Sequence, residues 1–481
     1  KPSGGTISNR HRSLDLTALA VHYCSAVYTF REVFTEAVRC RLRSAFPLAS
    51  TLSGGLDSSA VTCVARDILA DKNAGPLLTL SMVYDEITEC DERPFIDSVL
   101  AQGGLNPRYT HPDEISPLVD MEKVHWHEGE PHSSPTFYLY WELCRLAQQN
   151  GSRVILDGID GDTAVSHGDE FLADLGRQDR WAQLSDETKA MAQLMGTPYS
   201  RLTLERYVLP SLVDLARRGK WISFAQVVST VSSLYHLPRW NLVRDQGIKP
   251  LIPKLARSVW RAILRHKDRP LPVNPVINRQ FAQRVGLDES VAQLRWRFMN
   301  PPRSAKEEHH GNVASGGVTH AFEMTDRAAA AFSLEARHPF YDKRVVEFCL
   351  ALPPEQKLRA GWTRSIMRRA LADVLPVKVQ WRAGKALNSA AFTHSLLHFE
   401  GQRVADVIKN IDQTLSEYID VPELQRAYDR YVSTKSRTDE MRVWTAVTLA
   451  LWMNRTGWRP GVNIKEGGSG CSPTYQESQI R

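Results

Sequence analysis

The chain predicts an α/β fold: a parallel sheet of the five-stranded type with helices on both faces and large helical additions. Three observations carry that expectation. Apolar runs alternate with helical patterns over roughly 120 residues near the start of the chain. A Gly-Gly turn joins one such run directly to a helix. Two of the runs end in clusters of Ser, Asp and Gly, the place where open parallel sheets keep their ligands.

Taken in order, the first helix is expected from about Leu14 to Arg43, where Ala26 to Leu42 repeat apolar residues every three or four positions. It leads into a strand at Phe46-Pro-Leu-Ala-Ser-Thr-Leu52, which turns through Gly54 and Gly55 into a helical pattern from Ser59 to Ala70. A second strand is expected at Leu77 to Tyr84, with helices at Glu92 to Ala101 and Thr136 to Ala147. After the Asn150-Gly151 stop signal a third strand, Arg153 to Leu156, opens into Asp157-Gly-Ile-Asp-Gly-Asp162.

Composition narrows the class of protein. With 481 residues and 42% hydrophobic content the chain has room for two or three lobes. No apolar run approaches the 18 residues a membrane span needs, and the first residues lack the apolar centre of a signal peptide, so a cytoplasmic location is expected. Seven scattered cysteines with no C-x-x-C pair argue against a disulfide framework or a zinc site. The chain opens on Lys1 rather than Met, so it begins after processing or inside a longer product.

The chemistry concentrates in two loops. Ser53-Gly-Gly-Leu-Asp-Ser-Ser59 is a strand, a glycine turn and a helix N-terminus in succession. Such a junction suits phosphate: the first amides of a helix lack intrahelical partners, the helix dipole is positive there, and glycine lets the backbone come close. Ser53, Ser58 and Ser59 add hydroxyls, and Asp57 can hold magnesium. No Lys follows the glycines, which excludes the Walker pattern. The second loop offers three carboxylates and two glycines; alone it also fits a surface turn.

The first loop matches the pyrophosphate loop of enzymes that split ATP into AMP and pyrophosphate. The chain as a whole resembles the synthetase domain of the asparagine synthetase family, which includes β-lactam synthetases and lasso peptide cyclases. Four blocks carry the resemblance: Leu52 to Ser59, Val154 to Asp162, Phe332-Ser-Leu-Glu-Ala-Arg-His-Pro-Phe-Tyr-Asp342 and, more weakly, Leu375 to Lys385. The resemblance covers about residues 20 to 455.

The resemblance implies ATP and Mg2+ as cofactors. Ser53, Gly54, Gly55, Asp57, Ser58 and Ser59 would hold the phosphates, Asp57 and Asp162 the metal, and Leu52, Met82, Asp157 and Gly158 would line the nucleotide site. Lys385 falls where the family places a transition-state lysine, and Asp162 and Glu335 are further catalytic candidates. Glu335 and Arg337 also fit a structural salt bridge. The organisation implied is an N-terminal tail at 1–19, a nucleotide-binding core at 20–170, a helical basic insertion at 171–310, a helical C-terminal part at 311–455 and a flexible tail at 456–481.

Three departures steer the substrate. Ile159 stands where asparagine synthetases carry a glutamate, so any general base must come from elsewhere, with Glu335 and Asp160 as candidates. A glutaminase half is missing from the chain as given. From His236 to Lys306 there are fifteen Lys/Arg against four Asp/Glu, with Lys254 to Lys267 patterned as a basic amphipathic helix and Trp240, Trp260 and Trp296 interleaved. That segment fits a solvated face, a surface for an acidic peptide, or a nucleic-acid or membrane contact; its prolines argue against a continuous nucleic-acid-binding helix. The histidine at 132 is a candidate substrate contact, and His309-His310 is expected in a mobile loop.

The resulting expectation is an ATP-dependent amide-forming ligase. Its preferred reaction is macrolactam closure of a lasso-type peptide, with a peptide precursor and leader-binding and protease partners. Alternatives are asparagine synthesis from aspartate and a silent nucleotide-binding scaffold. No nucleic-acid partner and no membrane span are expected.

Overall fold

The computed structural model describes residues 16–195, 204–252, 274–299, 304–384, 386 and 389–456. Five strands form one all-parallel sheet in the order β3-β2-β1-β4-β5. They are β1 (Leu48–Thr51), β2 (Leu77–Met82), β3 (Leu105–Thr110), β4 (Val154–Leu156) and β5 (Glu335–Arg337). Ala49 pairs with Leu78 on one side and with Ile155 on the other, so β1 is the middle of the sheet.

The inner strands read as unbroken apolar runs because both of their faces are covered. Neighbouring residues then serve opposite cores. Leu78, Leu80 and Ile155 join one cluster, with Trp141 and Cys144 of a helix (Phe137–Gln149) and the helices near the C-terminus. Leu77 and Leu156 join the other, with α1 (Leu16–Arg41) and α2 (Leu56–Asp71). Phe30, Phe34, Ala37 and Val38 form the buried stripe of α1, at helical spacing.

A third cluster lies within residues 171–243: Phe171, Leu172, Leu184, Leu212, Leu215 and Val228 pack together, joined from elsewhere in the chain by Leu358.

Two strands escaped the sequence reading. β3 is an edge strand of partly exposed residues, including Pro107 and Arg108, and lacks the apolar signature. β5 is three residues long and sits inside the third family-like block. A third difference is a correction: His309 and His310 lie in a helix (Ala305–Val313), not a mobile loop. The Ser304 hydroxyl caps it by accepting the Glu307 N–H at 3.2 Å. The proposed basic helix at 254–267 falls outside the described residues, as do Trp260 and the side chain of Trp296. Among the described residues no helix is long and apolar enough to cross a membrane.

The chain runs from β1 outward to β2 and β3, then returns to place β4 on the other side of β1. Such a reversal opens a crevice beyond the carboxyl ends of β1 and β4. Both Ser/Asp/Gly loops lead out of those two ends.

Candidate active site

The first loop is a braced turn. Ser53 and Ser58 hydroxyls lie 2.9 Å apart, the Ser53 N–H donates to Ser58 Oγ at 3.2 Å, and the Gly55 N–H donates to Ser53 Oγ at 3.3 Å. Gly54 has φ +67°, and a Cβ there would lie 2.6 Å from Phe95 Cβ, so only glycine lets the turn close on the helix α3 (Arg93–Leu100). Gly55 is the N-cap residue of α2, which starts at Leu56, three residues before the apolar pattern begins. The first-turn amides of α2 are therefore aimed into the crevice.

The expected phosphate residues divide by position. Ser53, Gly54, Gly55, Asp57 and Ser58 form the turn and the first turn of the helix. Ser59 is fully buried and its N–H already donates to the Gly55 carbonyl at 3.1 Å, so it forms the floor. The Leu52 side chain is buried in the core and its carbonyl accepts the Ser81 hydroxyl at 2.7 Å. Met82 ends β2 and is partly buried.

The second loop packs directly on the first. A Cβ on Gly158 would lie 2.5 Å from the Ser58 nitrogen and 2.6 Å from the Asp57 carbonyl carbon. A Cβ on Gly161 would lie 3.0 Å from Asp57 Cβ. The two glycines thus let backbone stack on backbone and bring Asp57 and the Gly161–Val165 helix together. Asp160 enters that helix at φ +53°, a left-handed conformation that short polar side chains tolerate best.

Asp157 lies beneath this junction. It is 1% exposed and accepts three hydrogen bonds: from the Ile159 N–H at 3.1 Å, His338 Nδ1 at 2.7 Å and the Tyr140 hydroxyl at 3.2 Å. Burial, with Asp157 alongside, pushes the Tyr140 phenol far above its usual range, which keeps it a donor. Asp157 therefore fixes the second loop from below.

Magnesium is tested by the donors present. Asp57 offers one carboxylate oxygen, Oδ1, that is buried and has no hydrogen-bond partner, while Oδ2 accepts from Arg364. Asp162 is half-exposed, with His167 Nε2 at 3.4 Å. Burial disfavours the charged form of His167, but the Asp162 carboxylate holds its pKa above the usual value. Among the described residues no group of three or more His, Cys, Asp or Glu is placed to hold a metal. Two carboxylates suit Mg2+, which completes its shell with water and substrate phosphates.

Glu335 is placed apart from this crevice. It pairs across the sheet with Val154, at the amino end of β4, whereas Asp157 follows the carboxyl end. Its exposed carboxylate takes both prongs of Arg337, at 2.8 and 2.7 Å. The remaining Arg337 nitrogen donates to the Arg41 and Arg43 carbonyls at 2.6 and 2.8 Å, so the pair ties β5 to the end of α1. In this geometry Glu335 forms a salt bridge with Arg337, away from the crevice. Lys385 lies outside the described residues.

Arg364 and Arg382, which no pattern singled out, reach the first loop, and His309 takes a place the sequence did not suggest. Arg364, at the start of a helix (Ser365–Ala370), reaches Asp57. Arg382 reaches the Gly54 carbonyl at 3.0 Å. His309 is 1% exposed and faces the carbonyls of Thr163 and Ala164, both at 3.1 Å, while Lys357 Nζ donates to its Nδ1 at 2.8 Å. A neutral ring with the proton on Nε2 satisfies every contact.

His132, expected near substrate, is instead buried, with Nε2 3.0 Å from the Ser134 carbonyl and its ring against Phe137.

Burial lowers the His309 pKa to about 4. The folded value lies below the unfolded one, so between about pH 6.5 and about pH 4 the unfolded chain binds the extra proton and stability falls as pH falls. The full effect is about 3 kcal/mol. Thermal midpoints measured from pH 7 to pH 5 are expected to drop, and His309→Gln is expected to flatten part of that slope. An unchanged slope in the variant would show that the ring titrates alike in the folded and unfolded chain.

The asparagine synthase family model matches residues 29–454. The chain is 24% identical over 372 residues to asparagine synthetase [glutamine-hydrolyzing] 3 of Bacillus subtilis (strain 168), covering 74% of this chain and 47% of that protein. It is 20% identical over 426 residues to asparagine synthetase [glutamine-hydrolyzing] 1 of the same organism, covering 88% and 58%. Amidase chyE of Penicillium rubens (strain ATCC 28089 / DSM 1075 / NRRL 1951 / Wisconsin 54-1255) is 26% identical over 154 residues, covering 30% and 23%. The chain thus spans about half the length of the first of these relatives.

Proposed function

The chain belongs to the asparagine synthase family, and from that premise we propose that it is an ATP-dependent carbon–nitrogen ligase. A carboxylate oxygen of the substrate attacks the α-phosphorus of ATP, and pyrophosphate leaves. An amine then attacks the acyl carbon, AMP leaves, and the amine proton passes to a base. The observation that carries this reading is the stacking of Gly158 on the Asp57–Ser58 backbone, which makes one crevice from the two loops.

In that crevice the first-turn amides of α2 and the Ser53 and Ser58 hydroxyls are the phosphate donors. Asp57 and Asp162 would hold Mg2+, which supplies positive charge against the departing pyrophosphate. Arg364 is a second cation beside Asp57, placed to contact phosphate once the carboxylate turns to metal. Lys385 is assigned to the transition state by the family pattern alone.

For the substrate we favour a peptide whose side-chain carboxylate is joined to its own N-terminal amine, as in lasso peptides. Ile159 supports this, since the loop offers no acid there to orient a free amine. Asparagine synthesis is the second reading, favoured by the names of the relatives. Exchange of labelled pyrophosphate into ATP separates them, because adenylation is reversible. With Mg2+ and aspartate as sole carboxylate, protein shown to bind ATP is expected to be silent; robust exchange would establish aspartate as acceptor and overturn the peptide reading.

A further inference from the structure

We infer that Arg382 is a positioning residue that couples the phosphate loop to the backbone at Gly384 and Ala386, with Glu92 as its counter-ion; this rests on reading the loop as an ATP site. The guanidinium sends its three nitrogens to three separate segments. Nε donates to the Gly384 carbonyl at 2.8 Å, one terminal nitrogen donates to the Gly54 carbonyl at 3.0 Å, and the other pairs with the Glu92 carboxylate. The same Glu92 oxygen accepts the Ala386 N–H at 3.4 Å. Glu92 is the residue that precedes α3, whose Phe95 touches Gly54 and lies 3.9 Å beneath the guanidinium.

Arg382 and Glu92 side chains are only 8% and 13% exposed. A pair so shielded has left water behind, and removing either partner strands the other charge. Neither Phe95 nor the Gly54 carbonyl can move without shifting the guanidinium, and the guanidinium cannot shift without moving Gly384 or Ala386. Lysine has the charge but not the planar fork, so it cannot serve three segments at once. The pair thereby transmits a displacement of Gly54 to the stretch on either side of position 385.

Hydrogen exchange and nucleotide affinity on the full chain test the coupling, with Mg2+ and α,β-methylene-ATP as the probe. In the wild type, binding is expected to protect segment 53–58 and the Ala386 amide together. In Arg382→Lys and in Glu92→Gln, the probe is expected to bind about tenfold more weakly and to protect 53–58 while leaving Ala386 unprotected. Glu92→Gln keeps size and an acceptor oxygen, and so remains informative where the lysine variant fails to fold. Folded variants with wild-type affinity and undiminished Ala386 protection would show a merely structural pair and overturn the inference. Wild-type protein that bound no nucleotide would instead overturn the ATP-site reading, and the coupling with it.

Discussion

Asp57→Ala is expected to abolish AMP formation, with turnover falling by roughly 10³-fold or more, about 4 kcal/mol of lost transition-state stabilisation. The carboxylate has two tasks in the crevice. Its buried, partnerless Oδ1 is the oxygen free for a metal, and Oδ2 restrains Arg364. Alanine removes the ligand and takes an ion-pair partner from a guanidinium only 15% exposed. A loss of fold stability is therefore expected beside the loss of chemistry, and melting curves separate the two. Asp57→Asn keeps the shape and an oxygen for Arg364 while losing the charge, so it should melt near wild type and still fail to turn over. Normal AMP release from folded Asp57→Ala would remove Asp57 from the site and the metal with it.

Gly158→Ala is expected to disrupt the crevice with a single methyl. Its Cβ would meet the Ser58 nitrogen at 2.5 Å and the Asp57 carbonyl carbon at 2.6 Å, both of them backbone atoms unable to rotate aside. Either the second loop lifts from the first, or the first turn of α2 is pushed out of line. Overpacking of this kind costs about 1–3 kcal/mol in cores, and here the displaced atoms are those the proposed function assigns to phosphate. ATP affinity, measured by calorimetry, should collapse even where the protein remains folded. Gly311→Ala is the matched control: that glycine sits in the Ala305–Val313 helix with nothing within 4 Å of the added methyl. It should gain about 0.5–1 kcal/mol from helix propensity. Equal behaviour of the two variants would refute the stacked-loop geometry.

How much of this was legible in the sequence follows from the range of each signal. The strand, glycine turn and helix of the first loop are contiguous, and their periodicity and turn chemistry stand in a single short stretch. The same holds for Val154 to Asp162. What sequence did not disclose is carried by contacts across long separations. Arg382 meets Gly54 328 positions away, and Arg364 meets Asp57 307 positions away. Both arginines stand near the fourth block or inside it, but one arginine in sixty basic residues carries no sign of its partner.

The helix around His309 was misread for a related reason. Glu, His, Gly and Asn side by side give a loop-like composition, yet Glu308 is buried against Tyr207 and His309 against the Thr163 and Ala164 carbonyls. Tertiary partners, not local propensity, make that segment helical. Glu335 shows a limit of another kind. Its block is recognisable, but a three-residue strand has two ends, and only the register with Val154 reveals which of them carries the glutamate.

The helical region after the second loop packs around a cluster that runs from Phe171 to Leu242 and takes in Leu358. Its outward-facing residues, among them the exposed Ile222 and Trp240, contribute nothing to that core. Natural variation can therefore rewrite this exterior while the ATP crevice, braced by other residues, keeps its chemistry. An exterior of this kind can drift in sequence at little cost to the fold.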